Sequence, residues 1–203
     1  MSSLRVVPIV EGEGEVEALP RLLDRIWYEL LGGQYIDVLR PIRQPRTTLV
    51  RPGGLRGAIE LAAGKLRARA HDGVRGLVLI ALDADDDLPC SLAPQLLAAA
   101  QAIRSDVDIA CVLANQEYET WFVASAESLA DYLVLDGAAP PVTPETDRLK
   151  KKWVQDRVRG TGEHPSYRVT VDQPRMTALM DLALCRSRSP SFDKLCRELE
   201  ARR

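Results

Sequence analysis

The sequence has no long apolar run, few histidines and no paired cysteines, and each absence argues against a class of protein. No stretch of about 18 apolar residues could span a bilayer, and the N-terminus has no charged-then-apolar signal segment. We therefore expect a soluble, cytoplasmic protein with no membrane association. The four cysteines lie far apart without a C-x-x-C pair, and only two histidines could join them, so a zinc site is disfavoured. The sequence also lacks a G-x-x-x-x-G-K-S/T loop, so any nucleotide hydrolysis must come from a separate protein.

The length and composition suit one sizeable core. The chain has 203 residues, of which 46% are hydrophobic, and this size makes a second full domain possible but not required. A stretch rich in glycine, alanine and proline from Val134 to Glu145 reads as a linker. We predict an α/β domain over residues 1–135 and a helical C-terminal extension over residues 145–203, packed on that domain.

Strand and helix patterns alternate along the predicted α/β domain. Apolar runs of strand length predict strands over residues 6–10, 35–39, 76–82 and 108–113. Apolar residues at helical spacing predict helices over residues 15–31, 55–70, 88–104 and 116–132. Such alternation predicts an α/β fold with a mostly parallel sheet of about four strands and helices on both faces. Past the linker we predict helices only, one from Asp172 through Arg186 and a last one capped by Ser189.

Carboxylates follow two of the predicted strands. Glu11 ends the first strand, and Asp83 and Asp85 follow the apolar run that ends at Leu82. If these strands are neighbours, about 4.8 Å apart, the carboxylates converge at the sheet edge where open α/β sheets bind ligands. Converging anions repel each other unless a cation neutralises them, and an all-oxygen ligand set favours Mg²⁺ or Mn²⁺ over zinc. The sequence therefore predicts a divalent-metal site.

Other carboxylates near these strand ends have two interpretations. Glu15, Asp87 and Glu119 are candidate additional metal ligands. Carboxylates in the first turn of a helix are also favoured by the helix dipole, which is our main interpretation of Glu17. Asp87 can cap the following helix, and a capping role is equally open for Glu119.

Charges of each sign cluster along the chain. The formal charge is −4 over residues 1–39, +7 over 40–75, −10 over 76–144 and +5 over 145–203. Arginine side chains suit phosphate oxygens, so the basic loop of residues 40–56 can follow a nucleic-acid backbone, or it can be a solvated connection. The basic residues of the C-terminal part have the same two interpretations. The candidate nucleic-acid contacts are Arg43, Arg46, Arg51, Lys150, Lys151, Lys152 and Arg168.

Several segments together resemble a known family. A strand ending in E-G at Glu11 and Gly12, followed by a strand ending in D-x-D at Asp83 and Asp85, looks like the toprim domain of topoisomerases, primases and overcoming-lysogenization-defect nucleases. The chain more closely resembles small stand-alone toprim-like proteins of the DUF4276 type. The similar segments, which span most of the chain, are VEGEGEVEALP, LDADDD, EYETWF, VDQPRMTALMDL and SPSFDKLCREL.

The resemblance implies a toprim-like, Rossmann-like fold and a Mg²⁺- or Mn²⁺-dependent nuclease. By it, Glu11 matches the toprim glutamate, a general acid/base or metal ligand, and Asp83 and Asp85 match the metal-binding pair, so these three are the expected catalytic residues. Glu15 matches an additional acid of the nuclease branch. The run from Asp85 to Asp87 departs from the D-x-D pattern and leaves open which of its carboxylates point inward. Nucleases of this branch commonly work with an ABC-type ATPase, so the resemblance implies a separate ATPase partner.

Three hypotheses for the function follow. The leading one is a metal-dependent nuclease, acting on DNA rather than RNA, as a subunit of an ATPase-coupled bacterial phage-defence or repair system; a homodimer is one expected assembly. The second is a non-catalytic metal- or partner-binding regulatory subunit of such a system. The third is a nucleotide-binding α/β protein, to which Gly12 and Gly14 lend weak support because four nearby glutamates would repel a pyrophosphate.

Overall fold

A parallel β-sheet lies at the centre of the computed structural model, which describes residues 3–70, 73–135, 144–145, 150–159 and 166–203. The strands are β1 (Ser3–Val10), β2 (Tyr35–Val38), β3 (Ile42–Arg43), β4 (Val74–Asp83) and β5 (Ile109–Ala114). Their order is β2-β1-β4-β5, and β3 pairs with β1 beyond the end of β2. Every pairing between these five strands is parallel. The predicted α/β fold class is confirmed, with the two-residue β3 as an addition to the four expected strands.

Helices connect the strands and form the C-terminal part. A π-helical turn over Ile26–Leu30 continues the first helix, and a 3₁₀ turn over Ala126–Leu129 follows the fifth. In the described part of the chain, none of the helices has the length and hydropathy that a membrane-spanning helix needs. The α-helices are α1 (Glu13–Arg25), α2 (Arg46–Leu49), α3 (Arg56–Ala68), α4 (Pro89–Ile103), α5 (Glu119–Ala124), α6 (Lys150–Gln155), α7 (Val169–Leu179), α8 (Leu182–Arg188) and α9 (Pro190–Glu200).

Strand β1 is buried on both faces and joins two halves of the core. Its side chains alternate between the faces, as in any strand. Val6 and Val10 belong to a cluster with α1, α5 and the C-terminal helices, whereas Val7 and Ile9 belong to a cluster with α3 and α4. A continuous apolar run is typical of a strand covered on both sides. The C-terminal helices therefore share one core cluster with the first strand.

Two predicted elements differ from the structure before residue 135. The basic loop of residues 40–56 contains β3 and α2, because Ile42 and Leu49 are buried and fix short pieces of backbone against the sheet. The helix predicted over residues 116–132 is shorter. Its end is marked by Ser125, whose hydroxyl donates a hydrogen bond to the Trp121 carbonyl oxygen at 3.0 Å, a contact that competes with continued helix.

The C-terminal part contains one more helix break than predicted. The single helix expected from Asp172 through Arg186 is divided into α7 and α8. Asp181 begins α8, because its carboxylate accepts a hydrogen bond from the Leu184 N–H at 2.9 Å. The predicted cap of the last helix is confirmed, since the Ser189 hydroxyl accepts from the Phe192 N–H at 3.2 Å. Most of the predicted linker lies outside the described residues.

Gly14 shows how closely α1 packs on the C-terminal part. A Cβ atom at Gly14 would lie 2.1 Å from the Gln173 side-chain oxygen and 2.9 Å from the Val169 carbonyl oxygen. The backbone oxygen cannot rotate away as a flexible side chain can. We expect Gly14→Ala to lower the free energy of unfolding by about 1–3 kcal/mol through overpacking, measured by urea denaturation.

Gly64 provides the matched control. It lies in α3, and a Cβ atom added there would have no neighbouring atom within 4 Å. Gly64→Ala should therefore raise the free energy of unfolding by about 0.5–1 kcal/mol through helix propensity. Equal effects of the two alanine substitutions would contradict the packing of α1 on α7.

Candidate metal centre

Three carboxylates meet where β1 and β4 end. Glu11 is the first residue after β1, Glu15 lies in the first turn of α1, and Asp83 is the last residue of β4. One ligand oxygen from each of the three lies within 4.8 Å of those from the other two. Parallel pairing of β1 with β4 brings both strand ends to the same sheet edge, and Glu15 joins them because the turn into α1 is short. We call these three residues the carboxylate triad.

Backbone amides fix the orientation of the triad. The Asp83 N–H donates to Glu11 Oε1 at 3.3 Å. The N–H groups of Glu11 and Gly12 donate to Glu15 Oε2 at 3.2 and 3.1 Å. Glu15 therefore accepts hydrogen bonds from backbone N–H groups at the start of its own helix, and its carboxylate also lies close to Glu11. Stabilisation of the helix start and metal binding are thus compatible roles for this residue.

Burial raises the pKa of every carboxyl group in the triad. Desolvation is the largest cause in each case: it raises the pKa of Glu15 to about 7, raises the pKa of Asp83 well above its ordinary value, and raises that of Glu11. Repulsion between the carboxylates adds to the shift of Asp83. Glu15 and Asp83 also line a cavity of only about 10 Å³, the lower limit for one water. Full ionisation of the triad is therefore costly without a cation.

Asp85 and Asp87 lie outside the triad and contact Arg46. The Arg46 Nε atom is 3.3 Å from Asp85 Oδ2, and its terminal nitrogen pairs with Asp87. Arg46 also donates to the carbonyl oxygens of Asp83 and Ala84, at 3.1 and 3.0 Å. The two aspartate side chains are more than half exposed, at 55% and 56%. Arg46 thus holds the turn after β4, and a metal-ligand role for Asp85 or Asp87 stays a prediction.

Glu119 is a fourth carboxylate close to the triad. It is only 2% exposed, and its charge contributes to the raised pKa of both Glu15 and Asp83. The Tyr167 hydroxyl donates a hydrogen bond to Glu119 Oε1 at 2.8 Å. Direct metal ligation by Glu119 stays a prediction. Sequence reasoning missed Tyr167, because no local pattern connects it with a residue 48 positions earlier.

The predicted cations of the C-terminal part occupy different environments. Lys151 acts on the site directly, since its positive charge lowers the pKa of Glu11 and Glu119 against the effect of burial. Its backbone N–H donates to Glu117 Oε2 at 2.7 Å, which anchors the start of α6. Lys150 is buried at 2% exposure, whereas Lys152 is exposed and pairs with Asp156 at 2.8 Å.

The remaining basic residues predicted to contact nucleic acid also lie apart from one another. Arg43 lies beside the triad, since its Nε donates to the Glu11 carbonyl oxygen at 3.2 Å and its terminal nitrogen pairs with Glu13 at 3.2 Å. Arg51 is exposed and lines an apolar groove between α2 and α4. Arg168 is exposed at the start of α7. Only Arg43 and Arg46 from the basic loop therefore touch residues of the site or its adjoining turn.

An open acidic cleft adjoins the turn after β4. It has a volume of about 420 Å³. Carboxylates and amides dominate its lining, which includes Asp85, Asp86, Asp87, Asn115, Gln116, Glu117 and Glu145. The cleft lies beyond the carboxyl ends of β4 and β5, and none of the triad residues lines it.

The raised pKa values predict that the metal-free protein loses stability as the pH rises. The folded pKa of Glu15, about 7, lies above its unfolded value of 4.5, so its stabilising contribution is full below about pH 4.5 and is lost as the pH rises through about 7. In EDTA, the contribution of Glu15 to the free energy of unfolding should fall by about 3 kcal/mol between these limits. Mn²⁺ should restore more stability at pH 8 than at pH 5.5, because its ligands are then ionised.

Two glutamine substitutions separate the effect of Glu15 on stability from that of the other ionisable groups. They are Glu15→Gln and Glu17→Gln. Both residues lie in α1, but Glu15 is buried and Glu17 is exposed. Urea denaturation across this pH range should show a flatter profile for Glu15→Gln and an unchanged one for Glu17→Gln. A wild-type profile retained by Glu15→Gln would contradict the assignment.

Comparison with known proteins places the chain in a family. Among solved structures, the chain is similar to the C-terminal region of the Burkholderia pseudomallei OLD protein, with 14% sequence identity and a TM-score of 0.38, covering 99% of this chain and 98% of that one. Curated proteins gave no match. The family model described as "Domain of unknown function (DUF4276)" matches residues 10–200. This match confirms the resemblance noted in the sequence, and the chain belongs to the DUF4276 family.

Proposed function

We propose that the protein is a divalent-metal-dependent nuclease of the toprim type. The observation that carries this proposal is the convergence of Glu11, Glu15 and Asp83 within 4.8 Å at the carboxyl edge of a parallel sheet. These groups lie where α/β sheets bind ligands, and their burial makes the ionised, metal-free state costly. Such an arrangement favours binding of a small, hard cation over an empty site.

The donor chemistry of the triad fits Mg²⁺ or Mn²⁺. All three groups are carboxylates, and no histidine or cysteine is among them, so hard oxygen-binding cations are preferred. A bound cation of this kind would supply Lewis-acid stabilisation of charge on phosphoryl oxygens and activation of water. Because the triad supplies only a small number of protein ligands, coordination positions on the cation stay open for substrate oxygens and water.

The chain's own residues suit the other requirements of phosphodiester hydrolysis. Glu11 is partly exposed, so its carboxylate can be reached by a water at the site and can accept a proton from it. Lys151 is close enough for its positive charge to lower the pKa of Glu11, so it can stabilise the charge that develops on the phosphoryl group. Arg46 holds the backbone of Asp83 and Ala84, which keeps the Asp83 side chain in position.

We further propose that the protein acts on a nucleic acid and works with a separate ATPase. Its expected place of action is the cytoplasm, in phage defence or repair. The sequence resemblance to nucleases of the overcoming-lysogenization-defect type supports the partner, because the chain itself has no P-loop. DNA is the substrate class that we would test first.

Two isosteric substitutions test the catalytic role of the triad. Glu11→Gln and Asp83→Asn each remove one ligand charge without a change of shape, so both should abolish Mn²⁺-dependent cleavage of plasmid DNA and stoichiometric Mn²⁺ binding by calorimetry. At pH 8 in EDTA, Asp83→Asn should unfold at a urea concentration equal to or above that of the wild type, because it removes a buried like charge. These readouts distinguish lost chemistry from lost folding.

Glu17→Gln is the matched control, since it makes the same chemical change on the exposed face of α1. It should keep wild-type cleavage and Mn²⁺ binding. Cleavage that persists in both triad variants would disprove the proposed function.

The acidic cleft favours one other function, that of a non-catalytic subunit that binds a basic partner. Asp85, Asp87, Glu117 and Glu145 line this cleft and would suit lysine or arginine side chains. In that case, substitutions in the cleft would weaken the partner complex, and Glu11→Gln would leave it intact. Absence of stoichiometric Mn²⁺ binding to the wild-type protein would favour this function over the nuclease.

A further inference from the structure

A pocket on the β2 side of the sheet gathers three positive charges. Arg40 follows β2, Lys65 lies in the last turn of α3, and Arg69 directly follows that helix. Together with residues of β2 they line a pocket of about 320 Å³. The Lys65 Nζ atom donates a hydrogen bond to the Arg40 carbonyl oxygen at 2.8 Å, which fixes the ammonium group beside the strand. We call Arg40, Lys65 and Arg69 the basic pocket.

The charges of the basic pocket are not neutralised by the described part of the chain. Among the described residues, Asp37 is the one carboxylate that lines it, and its Oδ2 atom is engaged by Arg5 Nε at 2.6 Å. The pKa of Lys65 is lowered, first by burial and then by the positive charges of Arg40 and Arg69. Three cations thus repel one another in a concave site, a situation that a bound anion relieves.

The strand register places the basic pocket on a path that leads to the carboxylate triad. Val38 lies opposite Val6, and Ile42 lies opposite Ile9, so Arg40 is level with the middle of β1. At about 3.3 Å per residue, Glu11 lies about 10–13 Å beyond Arg40 along the strand direction, and about 20 Å beyond Asp37, which lines the same pocket and lies opposite Arg5. Arg43, which contacts the Glu11 carbonyl oxygen, lies between the two positions.

We propose that Arg40, Lys65 and Arg69 form a subsite for a backbone phosphate of the nucleic acid whose reacting phosphodiester lies at the carboxylate triad. This inference rests on the proposed function. A duplex whose axis follows the strand direction advances about 3.4 Å per nucleotide, so the subsite holds a phosphate about three to six nucleotides from the reacting one. Phosphate contacts of this kind fix register without reading sequence.

The subsite differs from the contacts that the sequence pattern favours. Arg46 is engaged by the turn after β4 and Arg51 lines an apolar groove, so the basic loop alone does not form a continuous track. The track instead combines Arg40 and Arg43 from this loop with Lys65 and Arg69 from the end of α3.

The test compares substitutions around the end of one helix in the full-length protein. The probe is a fluorescein-labelled DNA duplex of about 24 base pairs, with binding measured by anisotropy in EDTA between about 50 and 200 mM salt. The double variant Lys65→Gln/Arg69→Gln should bind about 10-fold more weakly at the lowest salt and reduce the slope of log affinity against log salt by about 2. Arg69→Gln alone should show about half of this slope change.

Arg67→Gln is the matched control, because Arg67 lies between these two positions and is exposed but does not line the basic pocket. It should leave the salt slope close to that of the wild type. Equal losses in Arg67→Gln and Arg69→Gln would overturn the subsite in favour of a diffuse electrostatic effect. Wild-type DNA affinity in the double variant, with loss of binding to phosphatidylserine vesicles, would assign the basic pocket to lipid headgroups and also overturn it.

A small substrate separates the subsite from the nuclease function. Bis(p-nitrophenyl) phosphate is too short to reach from the carboxylate triad to the basic pocket, so its Mn²⁺-dependent hydrolysis should be unchanged in the double variant. If the wild-type protein hydrolyses neither this diester nor DNA, the proposed function fails, but weaker DNA binding by the double variant still supports the subsite. Slower hydrolysis of the diester by the double variant would contradict a separate phosphate subsite.

Discussion

Desolvation of three neighbouring carboxylates is the constraint on which the site depends. Strands β1 and β4 are paired in parallel along their length, so Glu11 and Asp83 are delivered to one sheet edge, and the short turn into α1 adds Glu15. Backbone amides offset part of the cost, but desolvation still raises the pKa of all three groups. The folded protein bears this electrostatic cost when no metal is bound, and a bound cation would remove it.

The rest of the chain maintains this arrangement from two sides. Arg46 binds the carbonyl oxygens after β4 and the exposed carboxylates of the same turn. On the other side, Tyr167 orients Glu119, and Glu117 accepts a hydrogen bond from the Lys151 N–H. The C-terminal helices thus do more than extend the core. They position charges around the triad and bring Lys151 close enough to affect the ionisation of Glu11.

The sequence predicts the parts of the molecule that depend on local pattern. Alternation of apolar strands and amphipathic helices predicts the parallel sheet, and Glu11 and Asp83 follow from strand ends that must share an edge. Tertiary contacts lie outside such patterns. Arg46 looks like any loop arginine until β4 places carbonyl oxygens within its reach, and Tyr167 meets Glu119 only after α7 packs on α1. The short strand β3 was missed because its two residues pair only in the presence of β1.

Binding of a divalent cation by the triad can be observed by anomalous diffraction. A crystal of the full-length protein soaked in Mn²⁺ should give an anomalous difference peak between the carboxylates of Glu11, Glu15 and Asp83, collected near the manganese edge. We expect direct ligation by oxygen atoms of at least two of these residues. A peak confined to Asp85 and Asp87 in the acidic cleft, or no ordered peak at all, would contradict it.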